Sequence, residues 1–141
     1  MERIVEFVAL LIAGPMVGVE IAVAAFTNPV FGRLPDDAFR QARSDGSRVL
    51  GKVMPFWYIG TLVVLIAAAA VTWANWLIIA AAAVMALVVL MTVTLMVPIN
   101  NRIGAWSDSA DRGLARRWDH LHWLRVILLL AMVVLLSAGV G

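Results

Sequence analysis

Apolar residues run through the chain in long blocks, separated by prolines, tryptophan pairs and short charged runs. No charged residue occurs between Ile59 and Asn101, or between Val126 and Gly141. A membrane-spanning helix needs only ~20 mostly apolar residues, so the first block is long enough for two. The pattern predicts an all-α fold, a four-transmembrane-helix up-down bundle. Its helices lie at about 5–28, 55–73, 76–97 and 117–138, with loops at about 29–54 and 98–116. Breakers set these limits. "FTNPVFGRLP" ends the first helix through Pro29, Gly32 and Pro35, and Pro55 suits the first turn of the second. Pro98 disfavours helical geometry in the residue before it and so closes the third. The "WANW" junction is short enough to force an antiparallel hairpin, with Trp73 and Trp76 as interfacial anchors.

Composition agrees with a bilayer as solvent: 63% of the 141 residues are hydrophobic and 14% charged, against roughly 25% charged in a soluble domain. Residues 1–141 therefore read as a single integral membrane domain. Glu2 and Glu6 are incompatible with the positive start of a cleavable signal, so the first helix reads as retained. Cysteine is absent, which removes disulfides, thiolate nucleophiles and Cys-ligated metals. Basic residues gather in the two longer loops: Arg33, Arg40, Arg43, Arg48 and Lys52 in one, Arg102, Arg112, Arg116 and Arg117 in the other. The positive-inside rule then places both loops in the cytoplasm and both termini on the extracytoplasmic side of a bacterial inner membrane. The formal charge of +2 is thus explained by topology and lipid headgroups, and no nucleic-acid partner is implied. Segment 36–50 reads as a solvated connector, with an amphipathic surface helix as the alternative.

Charges at membrane depth are the candidate chemistry. Glu20 falls eight residues before Asn28, ~12 Å into the membrane, and Arg125 falls seven residues beyond Trp118, ~10 Å in from the same face. An intramembrane carboxylate requires a partner, and Arg125 is the one at matching depth. On a regular helix Trp118, His122 and Arg125 share one stripe, whereas His120 points ~200° away from His122. Asn28, Trp57, Tyr58, Thr92, Thr94, Asn100 and Asn101 collect at the same end, while the opposite halves of the helices are almost wholly aliphatic. That one-sided polarity predicts a site near the loop-bearing end.

"PINNRIGAW" at 98–106 and "RWDHLHWLR" at 117–125 resemble the P-x-N-x-x-(L/I)…W-x-x-x-H-x-x-R pattern of a family of small four-helix membrane proteins. That family includes the anthrone oxygenases of aromatic polyketide pathways. The matching positions are Pro98, Asn100, Ile103, Trp118, His122 and Arg125; Val126 stands where many relatives have threonine. "GVEIAVAAFTNPVFGRLP" and "MPFWYIG" are similar to the family's first helix and the start of its second. The resemblance implies oxygenation of a phenolic, anthrone-type substrate to a quinone, with no organic cofactor. In that chemistry His122 is the base, Arg125 and Asn100 stabilise an oxyanion, and Glu20 orients them. Asn28, Trp57, Tyr58 and Trp118 would contact a small hydrophobic aromatic substrate. Three other readings stay open. His122, with Glu20 and His120, would ligate a haem or metal ion; the Glu20 and Arg125 pair would serve transport; or the chain would be a structural subunit. The small-residue stretch Gly14–Gly18 would then pack a homo-oligomer.

Overall fold

The computed structural model describes residues 1–141 and contains four long helices: α1 Glu2–Gly32, α2 Asp36–Val71, α3 Trp76–Gly104 and α4 Arg112–Gly139. All four are long and apolar enough to cross a membrane, and there are no strands. The chain is thus an all-helical, multi-pass integral membrane protein. Large apolar side chains such as Phe56, Val63, Leu90 and Val134 project outward from the bundle, as lipid contact requires. Inside, Ala9, Ala13, Ala68 and Ala81 let the helices approach closely around Met16, Leu65, Met85, Leu129 and Met132.

Helix limits depart from the sequence expectation in an instructive way. Residues 36–54 are neither connector nor surface helix; they form the first half of α2, which begins after Pro35 with Asp36 and Asp37 in its first turn. Acidic side chains there complement the helix dipole. Pro55 consequently lies deep inside α2 rather than at its start. The remaining connections are short: 33–35, 72–75 and 105–111.

The prolines expected to end α1 and α3 do not end them. Each is preceded by a five-residue π-helical turn, Val23–Thr27 in α1 and Thr92–Met96 in α3. The Asn28 N–H bonds to the Val23 carbonyl, and the Val97 N–H to the Thr92 carbonyl, each five residues back. Proline clashes with the carbonyl four residues earlier and cannot bond to it, so a wider turn at that place lets the helix continue past the ring. Both helices thereby carry one extra residue just where Asn28 and Asn100 follow.

Side chains fasten the ends. Arg112 donates to the Gly32 and Leu34 carbonyls and to Asp36, joining the start of α4 to the α1–α2 connection. At the other end Asn75 caps α3 by accepting from Leu77 N–H and donates to the Gly139 carbonyl of α4. Gly139 is needed there: a Cβ would stand 2.8 Å from Ile78 Cγ1 and 3.2 Å from Leu77 Cβ.

Candidate active site

Four side chains from three helices meet in the loop-side half of the bundle. Glu20 comes from α1, Tyr58 from α2, and His122 and Arg125 from α4. All are buried, Glu20 to 2% exposure, His122 to 1% and Arg125 to 6%. The Glu20 carboxylate accepts from the Tyr58 hydroxyl at Oε1 (2.6 Å) and from Arg125 Nη2 at Oε2 (3.0 Å). His122 Nδ1 lies 3.0 Å from Arg125 Nη2 and 3.1 Å from Glu20 Oε2, so carboxylate, guanidinium and imidazole form a closed triangle. The second imidazole nitrogen settles the tautomer. His122 Nε2 is 3.0 Å from the Glu20 backbone carbonyl, which can only accept. The proton of a neutral imidazole therefore sits on Nε2, and Nδ1 is the lone pair that accepts from Arg125.

The triangle has an ordered response to a proton. A proton arriving at Nδ1 creates an N–H that points at Glu20 Oε2, already 3.1 Å away. Arg125 keeps its own bond to the same carboxylate. One carboxylate thus compensates two cations in turn, an arrangement that low-dielectric surroundings make strong. Arg125 also reaches Thr92 Oγ1 through Nη1 at 3.4 Å, and its Nε is buried without a partner. Of five guanidinium N–H groups, those on Nε and one on Nη1 remain for a ligand oxygen.

Aromatic rings cover the cluster. Trp118 stacks on His122, ring centroids 4.7 Å apart and 16° from parallel, and fixes the imidazole's plane. The Arg125 guanidinium carbon lies 5.2 Å from the Tyr58 ring centre and 5.7 Å from that of Trp118. The Trp118 indole N–H is buried without a partner. On the loop side Arg43, 5% exposed, lies 5.4 Å from the Trp118 ring centre and donates to Asp119 at 2.9 Å. Asn28 donates to the same Asp119 oxygen at 3.1 Å, so α1, α2 and α4 are tied together just beyond the tryptophan.

The cluster forms one wall of a cavity of about 130 Å³, bounded elsewhere by apolar side chains such as Val19, Met54 and Met96 and by Thr92, Asn100 and Asn101. Beyond Val23, Leu50, Asn100 and Trp118, which border both, lies a second space of about 240 Å³ reached by Asn28, Phe31 and Arg43. A void near 150 Å³ accommodates one benzene-sized ring. The inner space is thus of single-ring size.

The sequence-predicted residues divide accordingly. Glu20, Tyr58, His122 and Arg125 come together, with Trp118 against them. Asn100 borders the cavity, but its amide donates to the Ser47 carbonyl at 3.1 Å and does not touch the cluster. Asn28 belongs to the outer space and the Asp119 tie. Trp57 is not in the site: its indole N–H donates to the Ile12 carbonyl, because helical spacing turns Tyr58 inward and Trp57 toward α1. His120 is exposed on the far side of α4, and no three His, Asp or Glu side chains converge on a common point. Arg43 was visible in the sequence only as a loop charge. Once 36–54 is helical, Phe39, Arg43, Ser47 and Gly51 follow one another at four-residue spacing on a face that continues to Tyr58.

The sequence has no match among curated proteins, and no solved structure matches it. A family pattern does match, described as anthrone oxygenase, over residues 47–135. Tyr58, Thr92, Asn100, Trp118, His122 and Arg125 lie within that span; Glu20 and Asn28 lie before it. With most of its length covered by this match, the chain belongs to the anthrone oxygenase family.

Proposed function

We propose that the protein is a membrane-embedded oxygenase acting on a phenolic, anthrone-type aromatic substrate. The observation that carries this reading is the buried Glu20–His122–Arg125 triangle on the wall of an apolar cavity. It joins a proton acceptor to a fixed cation in a site otherwise suited to a flat hydrocarbon ring. A fused three-ring substrate needs more than the inner space of about 130 Å³, and the adjoining space of about 240 Å³ supports its accommodation.

An anthrone is a carbon acid. Removing a proton from its methylene carbon moves charge onto the ring oxygen and leaves an electron-rich anion able to react with dioxygen. His122 Nδ1 takes that proton, and Glu20 Oε2 accepts the N–H so formed. The Arg125 N–H released from Nδ1 turns to the new oxyanion, joined by the free N–H groups of the same guanidinium. Dioxygen adds at the carbon to give a peroxide anion, which takes back the proton from His122 Nδ1 to become a hydroperoxide and leaves the imidazole neutral again. Loss of the second carbon-bound hydrogen with cleavage of the O–O bond then yields the quinone carbonyl and one molecule of water. Net consumption is one dioxygen per substrate. Tyr58 holds Glu20 in place, and Trp118 holds His122. The rule of positive loops supports a cytoplasmic orientation for the end bearing the site.

The test uses purified protein and 1,8-dihydroxyanthrone, with oxygen uptake and quinone absorbance followed above the spontaneous rate. The wild type accelerates both equally, and His122→Ala loses ~100-fold or more. Wild-type protein with no acceleration, or a His122→Ala variant with full activity, overturns the proposal.

A further inference from the structure

The cavity opens on one side of the bundle. On α1 and α4, every residue that borders it is buried or half-buried. Four bordering residues are exposed, and they fall on two helices only: Gly51 and Pro55 on α2, Val97 and Asn101 on α3. The loop-side approach past Trp118 is instead crossed by the Asn28–Asp119–Arg43 tie. An opening between α2 and α3 is therefore the place where the cavity meets the surroundings of the bundle.

Local chemistry at this opening is unusual for a lipid-facing seam. Gly51 has no side chain, and a Cβ there would lie 2.9 Å from Asn100 Nδ2. The Asn100 amide crosses this gap to bond the Ser47 carbonyl, and one turn further toward the loops the Ser44 hydroxyl donates to the Gly104 carbonyl. Pro55 offers no N–H to the Gly51 carbonyl one turn earlier, leaving an acceptor at the rim. Outside, a groove of about 370 Å³ shares Gly51, Asn100 and Asn101 with the cavity and extends to Lys52. Of the two cations that line this groove, Arg48 is paired with Asp45 and Lys52 makes no ion pair. A groove with an ammonium at one end and, at the other, a polar gap spanned by one amide matches an amphiphile with a flat ring and oxygen substituents.

We propose that this groove is a first binding site for a phenolic aromatic molecule held in the interfacial layer of the membrane, and that the molecule passes between α2 and α3 at Gly51 to reach His122. The proposal rests on the phenolic ligand assigned above. Val97 and Asn101 flank the passage, and the Asn100 amide acts as its latch. The ligand never has to cross the Asp119 tie.

Binding of 1,8-dihydroxyanthraquinone to the full chain in lipid nanodiscs, followed by stopped-flow fluorescence, tests this. Val97→Trp and Asn101→Trp narrow the passage without touching the cluster; Val93→Trp, on the lipid face one turn away, is the control. A narrowed passage slows association by ~10-fold whatever the substitution does to Kd, whereas a site damaged with the passage left open weakens Kd through faster dissociation alone. Variants are compared only where their unfolding midpoints match the control, and Asn101→Trp decides if Val97→Trp is unstable. Unchanged rates in the narrowed variants, or a weaker Kd without slowed association, overturn the passage while leaving the proposed function standing. A wild-type protein that binds no probe overturns the phenolic ligand itself, and the passage with it.

Discussion

Breaking the Glu20–Arg125 pair from one side should be far more damaging than removing it whole. Arg125→Met keeps most of the side-chain length and deletes the charge, leaving a carboxylate at 2% exposure with the Tyr58 hydroxyl as its remaining donor while His122 is neutral. Glu20→Gln preserves shape and the Tyr58 bond at Oε1 while stranding a guanidinium at 6% exposure. Losing one member of a buried pair costs ~3–5 kcal/mol, because the survivor keeps its charge without compensation. The double variant holds no net charge at that position, so it should recover much of this loss. The expected coupling energy is ~2–3 kcal/mol. A plain interhelical hydrogen bond in a membrane protein averages ~0.6 kcal/mol and reaches ~1.7 at most, so the magnitude separates an ion pair from a polar contact. Reversible unfolding by SDS in mixed micelles, followed by circular dichroism, measures all four corners of the cycle. Single variants each costing under ~1 kcal/mol, with coupling under ~0.5, would mean that the charges are not desolvated against one another, and the site as described would be wrong.

Three further outcomes follow from single contacts. Gly139→Ala should cost ~1–3 kcal/mol, since its Cβ meets Ile78 at 2.8 Å; Gly18→Ala, with nothing within 4 Å, should be neutral or stabilising by up to ~1 kcal/mol. A thermal unfolding series in detergent ranks the two, and a reversed order refutes the α3–α4 packing. Trp118→Phe deletes an indole N–H that has no partner, so stability should stay within ~1 kcal/mol of wild type even though a buried ring is trimmed. A loss above ~3 kcal/mol would show that the N–H is bonded after all. Asp119→Ala leaves the buried Arg43 unpaired but acts on a partly exposed carboxylate, so the cost should be ~1–2 kcal/mol in the same unfolding assay.

Depth and helical phase were the legible part of this site. Glu20 and Arg125 fall at similar depths from one membrane face, ~12 and ~10 Å by residue count, and a carboxylate in hydrocarbon demands such a partner. Trp118, His122 and Arg125 share a stripe because four- and three-residue steps do so on any regular helix, and His120 is excluded by the same geometry. The π-helical turns were not legible. Hydrophobic periodicity is blind to a single extra residue in an all-apolar stretch, and proline reads as a stop unless the wider turn before it is known. The missing first half of α2 had a different cause. "DDAFRQARSDGSRVL" carries enough charge to resemble a connector, although its buried face of Phe39, Arg43 and Ser47 repeats every four residues. Trp57 and Tyr58 show the limit of composition: both suit an aromatic ligand, and only the helix phase decides which one faces it.

The pairing of Glu20 with Arg125 across 105 positions also has a consequence for biosynthesis. A chain made at ~5–20 residues per second presents its first helix to the membrane on the order of 5–20 s before the arginine exists. Throughout that interval the carboxylate must be carried by the aliphatic residues around it, since a central acidic residue costs ~3 kcal/mol on insertion scales. The long aliphatic run from Val8 to Ile12 and the block around Ile21 to Phe26 then serve to keep α1 inserted while it waits for α4. Weakening that run should show itself as failed insertion of newborn chains before it appears as instability of the finished bundle.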